Sequence, residues 1–400
     1  MNLLPQILNR SRIYLLYWYA ALLPFSEWLP VRLNNILLIL LCGIWVAEVL
    51  LKKTSIRHLR TPVFFLLSGI FFIQLVDFLH PGDLSLAGKN IFLKLPFLLF
   101  PLVLSHVSLL HLQQKRLYQF FTAGCFLACV VSFRFFLNEE CADVNWLRVA
   151  DYDEYLVLQR PYFGLYLILA ICFLITLYQS KRQFFYLIAV LFFLCFLWII
   201  QAKMALVILA VILMKELLSR ALPAFKKIIA LGLSAAAIIV VVLLTVFYLQ
   251  HRKTPNKLAG NQRFFVLSIN TRLEHFTCAA EIIRANPLFG TGISDLRHEL
   301  TSCYDRKGTE FNKHGYYFNI HNEWLEETAR HGILGLAVYM MAFFVFLRRS
   351  RLTKNHLYFQ FLFIIIFSGM TETFFSRAQG VLLIAFFNTI FYYTRSQTEE

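Results

Sequence analysis

Four hundred residues would ordinarily make two or three soluble domains, but hydrophobic residues form 59% of this chain and charged residues only 15%. A water-soluble globule carries about 25% charged residues to build its polar shell, so lipid must solvate much of this one; a soluble enzyme, a secreted disulfide scaffold and a disordered tail are excluded. The net charge of +15 would point to nucleic acid in a soluble protein, but in a membrane protein Lys and Arg collect on cytoplasmic loops, and no nucleic-acid partner is expected.

A membrane-crossing helix needs about 20 mostly apolar residues. Hydropathy predicts an all-α polytopic membrane protein with about twelve such spans: Ile13–Trp28, Ile36–Leu51, Pro62–Leu79, Ile91–Leu110, Leu117–Leu137, Tyr162–Tyr178, Phe184–Ile200, Ala202–Leu218, Ile228–Leu249, Ile333–Leu347, Leu357–Phe375 and Val381–Tyr393. The first is rich in Tyr and Trp and has no clear small-residue cleavage site, unlike a signal peptide. Of the eight Cys, none forms a CxxC pair, so no zinc or redox motif is suggested.

Twelve spans put both termini on one side, and charge tests that independently. Nineteen Lys and Arg, among them Lys52, Lys53, Arg348, Arg349 and Arg351, fall on that side. The short loops opposite, with the span ends beside them, hold seven: Arg32, Lys89, Lys94, Arg148, Arg160, Lys203 and Arg377. The bias predicts cytoplasmic termini, with the long loop Gln250–His331 outside. The chain thus divides into an N-terminal bundle of about nine spans (1–249), a loop subdomain (250–331) and a C-terminal segment of about three spans (332–400). Within the loop, Leu273–Ala285 and Ile320–Arg330 read as helices, broken by Asn286-Pro287 with Gly290 and Gly292, and by His331-Gly332. Cys278 and Cys303 share the oxidising side, where pairing is open to them.

The densest motif is His321-Asn322-Glu323-Trp324-Leu325-Glu326, running to Gly332 just before an apolar span. With Thr271-Arg272-Leu273, Asn286-Pro287-Leu288-Phe289-Gly290, Glu372 to Gly380, and Arg160-Pro161-Tyr162, it resembles the O-antigen ligase family of membrane glycosyltransferases. The resemblance covers roughly the C-terminal 240 residues in order, together with the twelve-span layout. One departure stands out: many relatives carry a Ser-Arg-Gly-like turn between the spans matching seven and eight, where this chain has Gln201-Ala202-Lys203-Met204. Lys keeps the cation but loses the bidentate fork of Arg.

The resemblance implies transfer of a glycan from an undecaprenyl-pyrophosphate carrier to an acceptor hydroxyl, such as a lipid A-core sugar, on the periplasmic face, inverting and without metal or other cofactor. Negative charge develops on the departing pyrophosphate, and fixed cations stabilise it there; Arg272 and Lys203 are the candidates, with Arg160 and Arg377 behind them. His321 has the intrinsic pKa of a general base near neutral pH. Glu323 or Glu326 would orient the imidazole or take the proton. A polymerase extending the glycan on its carrier, and a transferase acting on protein Ser or Thr, belong to the same family, and the pattern does not separate them.

Plainer readings stand beside these. His321 at a helix start suits a cap or surface residue. Arg272 suits a pair with Glu274 or a lipid phosphate, Lys203 a snorkelling cation, Arg160 a headgroup anchor, and Glu372 with Arg377 a structural pair. Asp151-Tyr152-Asp153 has the spacing of a metal-binding acidic pair. A transporter or flippase is the rival from another class: it would place charged pairs near mid-membrane, and Asp77, Lys94, Pro96 and Pro101 are its support.

Overall fold

A computed structural model describes residues 3–29, 32–51, 60–80, 83–104, 107, 109–136, 156–221, 260–307 and 319–393. Every predicted span except Ile228–Leu249, which lies outside those residues, falls on or overlaps a helix, and the described residues contain no strand. In chain order the helices are α1 (Leu3–Leu22), α2 (Leu33–Leu50), α3 (Pro62–Phe72), α4 (Leu84–Lys94), α5 (Pro96–Leu104), α6 (His111–Phe136), α7 (Arg160–Lys181), α8 (Phe185–Ile199), α9 (Lys203–Ala221), α10 (Gly260–Ala285), α11 (Gly292–Arg306), α12 (Glu323–Leu352), α13 (His356–Ser368) and α14 (Ala378–Tyr393). A 3-10 turn over Ile73–Leu79 prolongs α3.

Among the described residues, six stretches are long and apolar enough to cross a membrane: Leu33–Leu50, Pro62–Leu79, Leu84–Leu104, His111–Phe133, Arg160–Lys181 and Glu323–Leu352. Three shorter apolar helices, α8, α13 and α14, accompany them. Large apolar side chains such as Leu79 (81% exposed), Phe92 (76%) and Trp198 (75%) face outward, which is costly in water but suits lipid. Among the boundaries that differ from the hydropathy reading, two bear on the site. The fourth span starts at Leu84 and is broken at Leu95, because Pro96 cannot donate to the preceding turn. The eleventh ends as helix at Ser368, so Glu372 lies on a loop that closes with a 3-10 turn over Phe374–Ser376.

The bundle forms around α7, which is buried from Tyr162 to Leu174 and packed by α6, α8, α9 and α13. Aromatic contacts fill the interior: Tyr118 stacks on Phe173, and Phe121 meets Phe387 edge-on. A second, separate apolar cluster joins α10, α11 and the start of α12 through Cys278, Ile282, Leu296, Leu300, Ile320 and Ala329. A disulfide between Cys278 and Cys303 ties α10 to α11 across this cluster.

Two glycines fit the cluster onto the bundle. Gly332, at φ +66°, breaks α12, and a Cβ there would lie 2.1 Å from Leu288 O. Gly290, at φ +70°, would put a Cβ 2.3 Å from the carbonyl carbon of Arg330. Only a residue without Cβ allows this approach. It lets Ile333 N donate to Pro287 O (2.9 Å) and Thr291 N to Ala329 O (3.0 Å).

Candidate active site

The start of α12 is built by its own sequence. Asn322 is the N-cap, its Oδ1 accepting from Leu325 N at 3.1 Å, and its amide donates to Met370 O. Glu323 N donates to Gly369 O (2.8 Å), and Glu323 Oε2 accepts from Phe375 N (2.9 Å). These bonds stitch the helix start to the loop 369–377. His321, just before the cap, takes a left-handed backbone (φ +51°), sparsely populated outside glycine, and its ring turns onto that loop.

There His321 Nδ1 lies 3.3 Å from Glu372 Oε2. Glu372 is buried and also accepts from Thr373 N (3.1 Å). Burial pushes its carboxyl up, but the His321 hydrogen bond and charge, the Thr373 amide and Arg272 outweigh that and hold it below the ordinary carboxylate value. An ionised carboxylate only accepts, so Nδ1 of a neutral His321 carries the proton and Nε2 the lone pair.

His275, on α10, sits beside this dyad with its ring 5.6 Å from that of His321. Burial first, then His321 and Arg272, push its pKa down to about 3. It is neutral, and its Nδ1 meets the Tyr304 hydroxyl from α11. Burial pushes the Tyr304 phenol up, so the phenol keeps its proton and donates.

The structure therefore brings Arg272, His321 and Glu372 together, with Arg272 within electrostatic range of both Glu372 and His275. Arg160 and Lys203, at the starts of α7 and α9, lie within electrostatic range of each other. Tyr162, two residues after Arg160, donates to Thr373 O (3.0 Å) and so joins that helix start to the Glu372 loop. Glu326 Oε2 accepts from Ile320 N (3.0 Å), so Glu323 and Glu326 hold the backbone around His321, and the hydrogen-bond partner of the imidazole is Glu372. Asp151 and Asp153 lie outside the described residues.

Next to Tyr304 opens a cavity of about 580 Å³ walled by Arg32, Lys89, Arg297, Arg330 and Arg377, with Glu27, Glu326 and Asn319 among them. Sequence reasoning singled out only Arg377 and Glu326 here. Beneath it lies a fully buried ionic chain. Glu327 Oε1 pairs with Lys94 (3.3 Å) and Arg330 (3.4 Å), and its Oε2 with His331 Nδ1 (2.9 Å). His331 Nε2 lies 3.2 Å from Asp77 Oδ1. Asp77 accepts further from Asn90 Nδ2 (2.9 Å) and Ile293 N (3.0 Å), capping α11 from a distance. Asp77 stands out in the sequence as a charge within an apolar run, whereas Glu327, between Glu326 and Arg330, is separable only by helical phase.

The fold and site define a polytopic helical membrane protein with a carboxylate-oriented histidine and a cation-walled cavity at one end of its bundle. Residues 161–340, a little under half of the chain, match the family model described as O-antigen ligase, which supports a likeness to that family of membrane glycan ligases and polymerases. The matched segment contains Lys203, Arg272 and His321 and leaves Glu372 and Arg377 outside. No curated protein matches the chain.

Proposed function

We propose that this protein transfers a glycan from an undecaprenyl-pyrophosphate carrier to an acceptor hydroxyl, such as a lipid A-core sugar, at the periplasmic face of a bacterial inner membrane that the chain crosses about twelve times, with both termini cytoplasmic. The observation that carries this reading is the convergence of His321, Glu372 and Arg272 from three separate elements. His321 Nε2 takes the acceptor proton as the oxygen attacks the anomeric carbon, and Glu372 stabilises the imidazolium as it forms. Arg272, supported by Lys203, Arg160 and Arg377, stabilises the negative charge that grows on the departing pyrophosphate. A single displacement inverts the anomeric centre. No step calls on a metal.

The buried ionic chain bears on the transporter alternative. It runs from the cavity to Asp77 and Lys94, and Lys94 then lies over the Phe375 ring, which packs on Phe97. Aromatic packing of Phe100 and Phe386 continues the core. This supports chemistry at one end over passage of a charged solute.

Replacing His321 by Ala in cells tests the reading. Loss of surface glycan with build-up of carrier-linked glycan is the expected result. An unchanged surface glycan, in a strain without a second ligase, removes His321 from the mechanism.

A further inference from the structure

The cation-walled cavity has features that a pyrophosphate alone does not satisfy. Arg330 is 1% exposed and lines the cavity, yet its Nε has no hydrogen-bond partner among the described residues. Glu327 holds NH1 of the same guanidinium at 3.4 Å and so fixes its direction. An unmatched buried donor of this kind calls for an acceptor, best an anion. Asn319 Oδ1, also on the wall, is buried without a partner and calls for the opposite, a donor. Its amide nitrogen is spent on Thr373 Oγ1, which leaves the oxygen turned to the other side. Glu326 and Glu27 add carboxylates to the same wall. A bare diphosphate has no hydroxyls to offer these acceptors and is repelled by the carboxylates. A sugar bearing an anionic substituent supplies both kinds of group. The volume, about 580 Å³, lies in the range of small-ligand pockets, roughly 300–1,000 Å³.

We infer that this cavity is a saccharide subsite for a sugar carrying a phosphoryl or carboxylate group, with Arg330 and Arg297 taking the anion and Asn319 and Glu326 accepting from hydroxyls. The inference rests on the glycan-transfer reading and names a substrate class for it. The sugar belongs either to the carrier-linked glycan or to the acceptor; both present the same chemistry. Tyr304 lines the cavity and bonds His275, whose ring faces His321. A sugar seated here is thus linked to the proposed base through two side chains, Tyr304 and His275.

The test uses the purified full-length chain in lipid nanodiscs, with glucose 6-phosphate, glucuronic acid, glucose and inorganic phosphate as probes in a direct binding measurement. Glucose 6-phosphate and glucuronic acid are expected to bind at least tenfold more tightly than glucose or inorganic phosphate. Arg297→Gln, at the exposed rim, and Arg330→Gln are expected to weaken them at least tenfold. Because Arg330→Gln disturbs a buried ion pair, Arg297→Gln keeps the test valid if the other variant does not fold. Inorganic phosphate binding as tightly as the sugar phosphate, or variants binding like wild type, overturns the inference. In a transfer assay, a tenfold rise in KM for the donor alone or for the acceptor alone, with kcat little changed, supports it and identifies the source; no change in either KM overturns it. A chain that binds these sugars yet transfers no glycan upholds the subsite and refutes the transferase reading.

Discussion

His321 and Glu372, 51 residues apart in the chain, meet at 3.3 Å because the start of one helix and the loop after another share four hydrogen bonds, three of which involve backbone groups. Replacing Glu372 by Gln keeps the shape and removes the charge that stabilises the imidazolium. The expected result is a kcat roughly 10- to 100-fold lower with KM little changed, whereas His321→Ala costs roughly 10²- to 10⁴-fold. Steady-state transfer from a lipid-linked donor measures both. Equal KM and kcat effects would mean that Glu372 only shapes the loop.

His275 makes the α10–α11 unit pH-sensitive. Its folded pKa, about 3, lies below the ordinary 6.5, so the unfolded chain binds the extra proton first. Stability from this group is full above about pH 6.5 and is lost progressively as pH falls toward about 3. Hydrogen exchange over residues 272–306 should accelerate across that window in the wild type. In His275→Phe the acceleration should be blunted.

The Cys278–Cys303 disulfide closes a loop with a sequence separation of 25. Loop-closure entropy predicts that Cys278→Ser with Cys303→Ser costs about 3 kcal/mol. Limited proteolysis should then cut between α10 and α11 while the bundle around α7 stays protected. Unaltered resistance would show that the apolar cluster alone holds the two helices.

Glu327 balances Lys94, Arg330 and His331 in a region closed to water. Glu327→Ala strands those cations and should cost about 3–5 kcal/mol, seen as low yield and a lowered melting temperature in detergent. Lys94→Met added to Glu327→Leu should recover part of the loss. If the single variant melts like wild type, the chain of charges is not a structural support.

Gly332→Ala drives a methyl group toward Leu288 O and should cost more than the roughly 0.5–1 kcal/mol that exchanging Gly for Ala usually gains in a helix. The expected sign is destabilisation, read from thermal melts. A more stable Gly332→Ala chain would refute the tight approach of the 286–292 turn to the α12 break.

The amino-acid sequence by itself determined the solvent and the repertoire of elements. Apolar runs of helix length are legible by counting, and Gly290 and Gly332 mark breaks between helices because each acts within its own few residues, whereas the cap at Asn322 came from the structure, which starts the helix at Glu323 and not at the predicted Ile320. Arg272 and His321 were legible from motif order. What only the tertiary structure decided is which groups face one another. Glu372 became the partner of His321 in place of Glu323 or Glu326 because helical phase turns those two carboxylates onto backbone amides. Arg32, Lys89, Arg297 and Arg330, from four separate helices or their flanks, join Arg377 around one cavity. Charge convergence of this kind depends on packing between distant segments, and a linear chain carries no local mark of it.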